Sequence, residues 1–221
     1  MDIVREAVAV LAAILVAFGL DAWWESRVER ASMLDALEAV AVEIGRNVTQ
    51  LDSAVALNRR QIEVAQALAR ATEAEIAGLT PEEVGRYSRF PEHEILTLES
   101  GALTAFIQGG FLQAMSDGEL RAVVAGIATV QDELDEEREG FHAMDVRTIE
   151  AVLMRIPLED LLEQGDVDGA RSMLRAIVAD EDARRLIFAR SFLLSIYTDE
   201  MSRLRRRLSE SLEAVRAGLR S

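Results

Sequence analysis

The sequence has no cysteine and no lysine, and only three prolines and thirteen glycines among 221 residues; aromatic residues make up 5%. Without cysteine there is no disulfide framework, no thiolate metal site and no cysteine nucleophile, and the compartment stays undetermined on that ground. So little proline and glycine supplies too few turns for a many-stranded β fold. The 24 basic residues are all arginine and face 39 acidic ones, for a formal net charge of −15. That balance argues against nucleic acid as a partner, which would call for a net basic face. Half the chain is nonetheless apolar, enough to bury a core, and Ala, Leu, Glu and Arg dominate as in helical proteins. The expected fold class is all-α.

The longest uncharged run, Ala7 to Leu20, is apolar all the way round, unlike the single stripe of a surface helix. Extended from Ile3 to Trp24 it reaches about 33 Å as a helix, which matches a hydrocarbon core of roughly 30 Å. Arg5, Glu6 and Asp21 then fall near the ends, where charge is tolerated. The large apolar residues Val8, Val10, Leu11, Ile14, Leu15, Val16, Phe18 and Leu20 together favour insertion by about 2.5–5 kcal/mol, against a cost of about 2.5–3.5 for one central charge. Trp23 and Trp24 stand where an interfacial aromatic belt would lie. The reading is a transmembrane signal-anchor helix over residues 1–25; a buried core helix and a cleaved signal peptide are the rivals. Ala9, Ala13 and Ala17 recur every fourth residue and form a ridge that would let a second helix approach closely in lipid, although alanine is abundant throughout.

Beyond the span, residues 26–79 read as one long amphipathic helix. Leu34, Leu37, Ala41, Ile44, Val48, Leu51, Val55, Asn58, Ile62, Ala65, Ala69, Thr72, Ile76 and Leu79 alternate three- and four-residue steps, a coiled-coil-like seam. Asn58 reads as a tolerated, partly solvated polar site, with a register-fixing role as the alternative. Residues 80–221 supply the remaining helices of an antiparallel extramembrane bundle. Gly78 suits a C-cap, and Thr80-Pro81-Glu82-Glu83 opens a short helix that Pro91 closes. The glycine-interrupted run from Ile95 to Met115 reads as two short buried helices, with Gly109-Gly110 as a turn. Ser116-Asp117-Gly118-Glu119 reads as a capping box opening a helix to about Arg155, ended by Pro157. Leu158 to Glu163 forms at most a turn or two. Asp168 is the expected N-cap of a helix through Ala179, in preference to a calcium loop, because the later ligands and closing Glu are missing. A last helix spans Asp182 to Gly218.

The acidic stretch from Asp132 to Glu139 and the cluster Arg203, Arg205, Arg206 and Arg207 would attract if folded side by side. A lipid contact is the alternative for the arginines. Nothing carries a catalytic, cofactor-binding or metal signature: His93 and His142 lie outside any HExxH, no serine sits in GxSxG, and no glycine loop follows a phosphate-binding pattern. His93 with Glu92 and Glu94 reads as a hydrogen-bonded surface cluster.

Glu6, the apolar run through Ala13 to Ile14-Leu15-Val16-Ala17-Phe18, then Leu20-Asp21, Trp23 and Glu25, followed by Leu34, Leu37, Glu43 and Asn47, resembles an uncharacterised bacterial family of single-span membrane proteins. Its members typically read E-x(6)-G-I-L-I-A-L-x-(V/I)-(N/D)-x-W-(N)-E; Ala13 stands at the glycine and Trp24 at the second asparagine. Ser100-Gly101-Ala102-Leu103 and Ser116-Asp117-Gly118-Glu119-Leu120 are similar to the family's S-G-N-L and D-x-E-L-R segments. The resemblance implies an inner-membrane protein with its helical domain on the periplasmic side; the arginines flanking the span, Arg5 against Arg27 and Arg30, set no orientation and leave the cytoplasmic side open. It implies no cofactor and no catalytic residue. The expected function is a membrane-anchored interaction module, an accessory or scaffolding subunit whose partners are the lipid bilayer and either proteins of a larger membrane complex or further copies of itself. A ligand-binding or sensory domain is the alternative, and a hydrolytic enzyme, for which no residue speaks, comes third.

Overall fold

The computed structural model describes residues 2–90, 92–94, 96–156 and 166–220, with side chains from residue 14 onward. The described chain is all-α, without strands, and its eight helices are α1 (Asp2–Arg70), α2 (Glu73–Ala77), α3 (Pro81–Tyr87), α4 (Gly101–Gln108), α5 (Phe111–Ala114), α6 (Gly118–Leu153), α7 (Val167–Ala179) and α8 (Glu181–Gly218). Three of them, α1, α6 and α8, carry the length of the molecule. α8 runs antiparallel to α1, with Met201 beside Asn58 and Arg205 on Asp52. It also runs antiparallel to α6, with Arg190 on Asp145 and Arg207 on Glu133. The seam expected on α1 therefore finds its partner within the same chain. Leu37, Ile44 and Leu51 of α1 meet Leu204, Leu208 and Leu212 of α8 and Val124, Ile127 and Leu134 of α6 in the main core. A second cluster closes the far end, where Ala65 and Leu68 of α1 and Ile187 of α8 pack with Ile76, Val84, Phe90, Met173, Leu174 and Ile177.

Because α8 opposes both other long helices, α1 and α6 run parallel, so the bundle is not a simple up-down alternation with short links. A parallel pair obliges the chain to travel back along the bundle before α6 can begin. It does so ahead of α4, where the described residues 92–94 and 96–100 form no helix, and α1 holds that return by its polar side chains. Asn58 Oδ1 accepts from the Glu94 amide at 2.9 Å. Asn47 both accepts from the Glu99 amide, at 2.9 Å, and donates to the Glu99 carbonyl, at 2.8 Å. Glu43, 3% exposed, accepts from the amides of Ala102 and Leu103 at 2.7 and 3.1 Å. The spacing is commensurate. Asn47 to Asn58 advances about 16.5 Å at 1.5 Å per helical residue, and the five steps from Glu94 to Glu99 cover about the same at 3.3 Å per extended residue.

Several helix ends differ from the sequence reading. α1 stops at Arg70, not near Leu79, because Thr72 forms a capping box with Glu75: the Thr72 amide donates to Glu75 Oε2 at 2.8 Å, and the Glu75 amide donates back to Thr72 Oγ1 at 3.3 Å. Those bonds serve a helix start and take Thr72 out of the seam. Thr80 caps α3 as expected, with Pro81 in its first turn. α3 ends at Tyr87; Pro91 lies outside the described residues. The run expected as two short buried helices is non-helical over the described residues 96–100 and becomes α4 only at Gly101, and Gly110, at φ +76°, makes the turn into α5. Asp117, not Ser116, caps α6, accepting from the amides of Glu119 and Leu120. Asp166, not Asp168, caps α7 through the Gly169 amide at 2.8 Å; Asp166 has the extended backbone of an N-cap, whereas Asp168 already lies inside the first turn. Pro157 and the turn expected over Leu158 to Glu163 lie outside the described residues.

Among the described residues, no helix is long and apolar enough to cross a membrane. The span read from Ile3 to Trp24 begins in residues whose side chains lie outside that description.

Asn47→Ala removes the partner of the Glu99 amide, while the Glu99 carbonyl keeps Gln131 at 2.8 Å. Urea unfolding should show a loss of about 1–3 kcal/mol, against less than about 0.5 for Glu38→Ala on the exposed side of the same helix.

Candidate functional site

At the amino-terminal end of α1, Ala9 and Ala13 lie outside the described side chains, and Ala17 is exposed. From Ile14 to Trp24 the helix stands clear of the bundle. Leu15, Val16 and Phe18 are 62–66% exposed, and Trp23 and Trp24 are 55% and 63% exposed. A side chain at Gly19 would meet no atom within 4 Å. The Arg27 guanidinium lies over the Trp23 ring at 5.4 Å, a cation–π contact that leaves a positive charge one turn beyond the indoles. The segment therefore offers a continuous apolar surface ending in two indoles and an arginine.

Next to it, where the bundle begins, a groove of about 540 Å³ opens between α1, the α4–α5 turn and the ends of α6 and α8. Met33, Leu34, Leu37, Phe111, Met115 and Leu120 give it an apolar floor, and Glu29 and Arg30 stand at its rim. Gly218 at the end of α8 lies against Leu120 so closely that a Cβ there would displace the leucine.

The arginine cluster on α8 is divided among separate partners. Arg205 reaches Asp52 of α1 through two bonds of 2.9 and 3.0 Å, Arg207 pairs with Glu133 of α6, Arg203 folds onto Glu200 of its own helix, and Arg206 is exposed. Only the Arg207 pair joins the acidic stretch of α6 to the cluster. Asp52 lies 28 positions beyond Trp24, about 42 Å along the helix, so these arginines do not face a bilayer bounded at the tryptophans.

The deepest polar constellation was not legible in the sequence. Arg190 of α8 and Asp145 of α6 are each 1% exposed in their side chains, with Arg190 Nε 2.6 Å from Asp145 Oδ1. Arg190 Nη1 also donates to the Phe90 carbonyl at 2.8 Å, and Nη2 lies 3.2 Å from His93 Nδ1. A guanidinium only donates, so Nδ1 is the accepting nitrogen of that contact. His93 is thus turned inward with Asp145 3.5 Å away, in place of the surface cluster with Glu92 and Glu94. Burial pulls the Arg190 guanidinium below its ordinary value while Asp145 acts in the opposite direction. Phe141 separates this group from Tyr197: His93 meets it edge-on at 5.2 Å, and Tyr197 stacks on it at 4.8 Å. Burial holds the Tyr197 hydroxyl above the usual tyrosine range. Asn58 is likewise wholly buried, not partly solvated, with Nδ2 on the Met201 sulfur at 3.6 Å. The ion pair, the hydrogen bonds and the stacked rings join α1, α6, α8 and the return segment in one register.

Compared with family models, curated proteins and solved structures, the chain matches none.

Two measurements check the buried pair and the tyrosine. Arg190→Met leaves Asp145 buried beside no cation and should cost about 3–5 kcal/mol in urea unfolding, whereas Asp145→Leu with Arg190→Met, which removes both charges, should recover most of that loss. In a Tyr87→Phe background, absorbance at 295 nm reads Tyr197 alone. Its midpoint should lie above about 10, the ordinary value. Since the folded protein holds this proton more tightly than the unfolded chain, stability from this group is intact below the unfolded value and declines as pH rises toward the folded one.

Proposed function

We propose that the chain is a membrane-anchored helical interaction module, an accessory or scaffolding subunit whose amino-terminal helix sits in the bacterial inner membrane and whose bundle stands outside it. The observation that carries the reading is the uncovered apolar segment of α1. Seven large apolar residues from Ile14 to Trp24 are each at least 46% exposed, although the same helix buries its later apolar residues against α8 and α6. Burying them in lipid would recover about 25 cal/mol for each Å² removed from water. The sequence continues apolar back to Ile3, apart from Arg5 and Glu6, which supplies the length for one crossing. The Trp23–Arg27 pair then marks the interface, with aromatic rings at headgroup level and the cation beyond them. The family resemblance points the same way and favours the periplasmic side.

An interaction role fits better than an enzymatic one because the polar residues converging in the core are consumed in holding the backbone. The groove beside Met33 and Phe111 favours a second reading, a ligand-binding or sensory domain at the membrane surface, since its volume and apolar floor suit a small hydrophobic ligand.

Trp23 and Trp24 are the only tryptophans, so fluorescence reports this segment alone. In anionic phospholipid vesicles, emission should shift to the blue and be quenched by lipids brominated near the headgroup, and the full chain should resist alkaline carbonate extraction. Emission unchanged from that in water, with the chain released by carbonate, would refute the anchor.

A further inference from the structure

On the outer face of α8, Phe188, Phe192 and Ile196 are 49%, 62% and 51% exposed. They lie four residues apart, so they form one straight ridge on the side away from the core. Their level excludes the most obvious occupant. The neighbouring Ile187 packs with Leu68 of α1 in the distal cluster, and Leu68 lies about 66 Å beyond Trp24 along α1. A bilayer bounded at the tryptophans does not reach this ridge.

The residues that continue the ridge identify what fits it. Counting outward from Phe192, four residues to either side stand Phe188 and Ile196; seven to either side, Arg185 and Asp199; eleven to either side, Glu181 and Arg203. Offsets of four, seven and eleven are successive helical turns on one face. Arg184 and Glu200, eight to either side, flank it with the same opposition of charge. The ridge is therefore complementary to itself when reversed: apolar residue meets apolar residue, and every charge meets its opposite. Side by side in the parallel sense, each charge would instead meet its own sign.

We propose that this face of α8 is a homodimer contact, in which a second copy of the chain packs antiparallel about a two-fold axis at Phe192. Phe192 meets Phe192 of the second copy, Phe188 meets its Ile196, and two rings of ion pairs, Arg185 with Asp199 and Glu181 with Arg203, close each end. In the single chain these charges have local partners, Arg185 on Glu181 and Arg203 on Glu200, so the ends stay solvated until the copies meet and then exchange partners. The pairing deepens the interaction-module reading by naming the partner, and it holds whether or not residues 3–24 sit in lipid. Since α1 is antiparallel to α8, the dimer directs its two amino-terminal segments away from each other; anchored copies would meet from separate bilayer surfaces, not side by side in one.

The absence of native cysteine makes the test direct. In the full chain, purified in mild detergent at one chain per micelle, Phe192→Cys should form a disulfide-linked dimer on mild oxidation. Phe188→Cys alone should remain monomeric, and an equal mixture of Phe188→Cys with Ile196→Cys should cross-link. Self-linking of all three single variants would mean parallel packing and would overturn the proposal, as would no linking at all in variants that keep wild-type helicity and melting temperature. A charge test checks the register: Arg185→Glu should weaken dimerisation about tenfold by setting an acid against Asp199 at each end, and adding Asp199→Arg should restore it. A double variant as weak as the single one overturns the pairing. Because none of these readouts depends on lipid, their failure is separate from a failure of the anchor, which carbonate extraction and tryptophan emission decide.

Discussion

The fold depends on how α1 pays back the hydrogen bonds of an extended segment laid along it. With α1 and α6 parallel, a return of nearly the whole bundle length is unavoidable, and an extended return brings amide and carbonyl groups against an apolar core. Unpaired, each such group would cost as much as a typical hydrogen bond contributes, or more. Glu43, Asn47 and Asn58 remove that cost at three points along α1. Their positions work because eleven helical residues and five extended ones cover the same distance. Glu43 does further service at the first turn of α4, where Ser100 makes no side-chain cap. Its carboxylate takes two amides at the positive end of the helix, from a different element of the structure.

The second constraint is the buried pair of Arg190 and Asp145. An ion pair in an apolar interior adds little net stability but makes other registers costly, since a slip of α6 against α8 would strand one charge without the other. The Phe90 carbonyl and His93 tie the same guanidinium to the end of the return segment. The two polar groups therefore act on one another: the first lays the return along α1, and the second locks its far end between α6 and α8. What is left outward is simple by comparison, an apolar helix at one end, a groove beside it and a ridge on α8 at the other end.

Much of the secondary structure was legible because it is written locally. The Thr80 box with Pro81, the turn at Gly109-Gly110 and the start of α6 near Asp117 all rest on residues within one turn of each other. The errors are also local. Thr72-Glu73-Ala74-Glu75 is a capping box as clear as the one at Thr80, yet the apolar seam running through Thr72 masked it; Asp166 and Asp168 are two aspartates competing for one cap, and the backbone entering α7 decides between them. The buried constellation had no local signal at all. His93, Asp145 and Arg190 are separated by roughly fifty positions each, and a charged residue on a helix in an acidic chain reads as solvated until its neighbour is known. Of the residues that carry the family resemblance, Glu43 accepts from the amides of Ala102 and Leu103, and Asn47 holds the adjoining Glu99.

Periodicity, capping and hydropathy act over one or two turns and need no partner, so the all-α class, the long helices and the apolar character of the first two dozen residues follow from the order of residues alone. The parallel course of α1 and α6, the path of the link between them, and the choice of which charged and amide side chains lie inside appear only once the helices are packed. Those choices depend on groups far apart in the chain satisfying one another at close range, and no spacing within one helix records them.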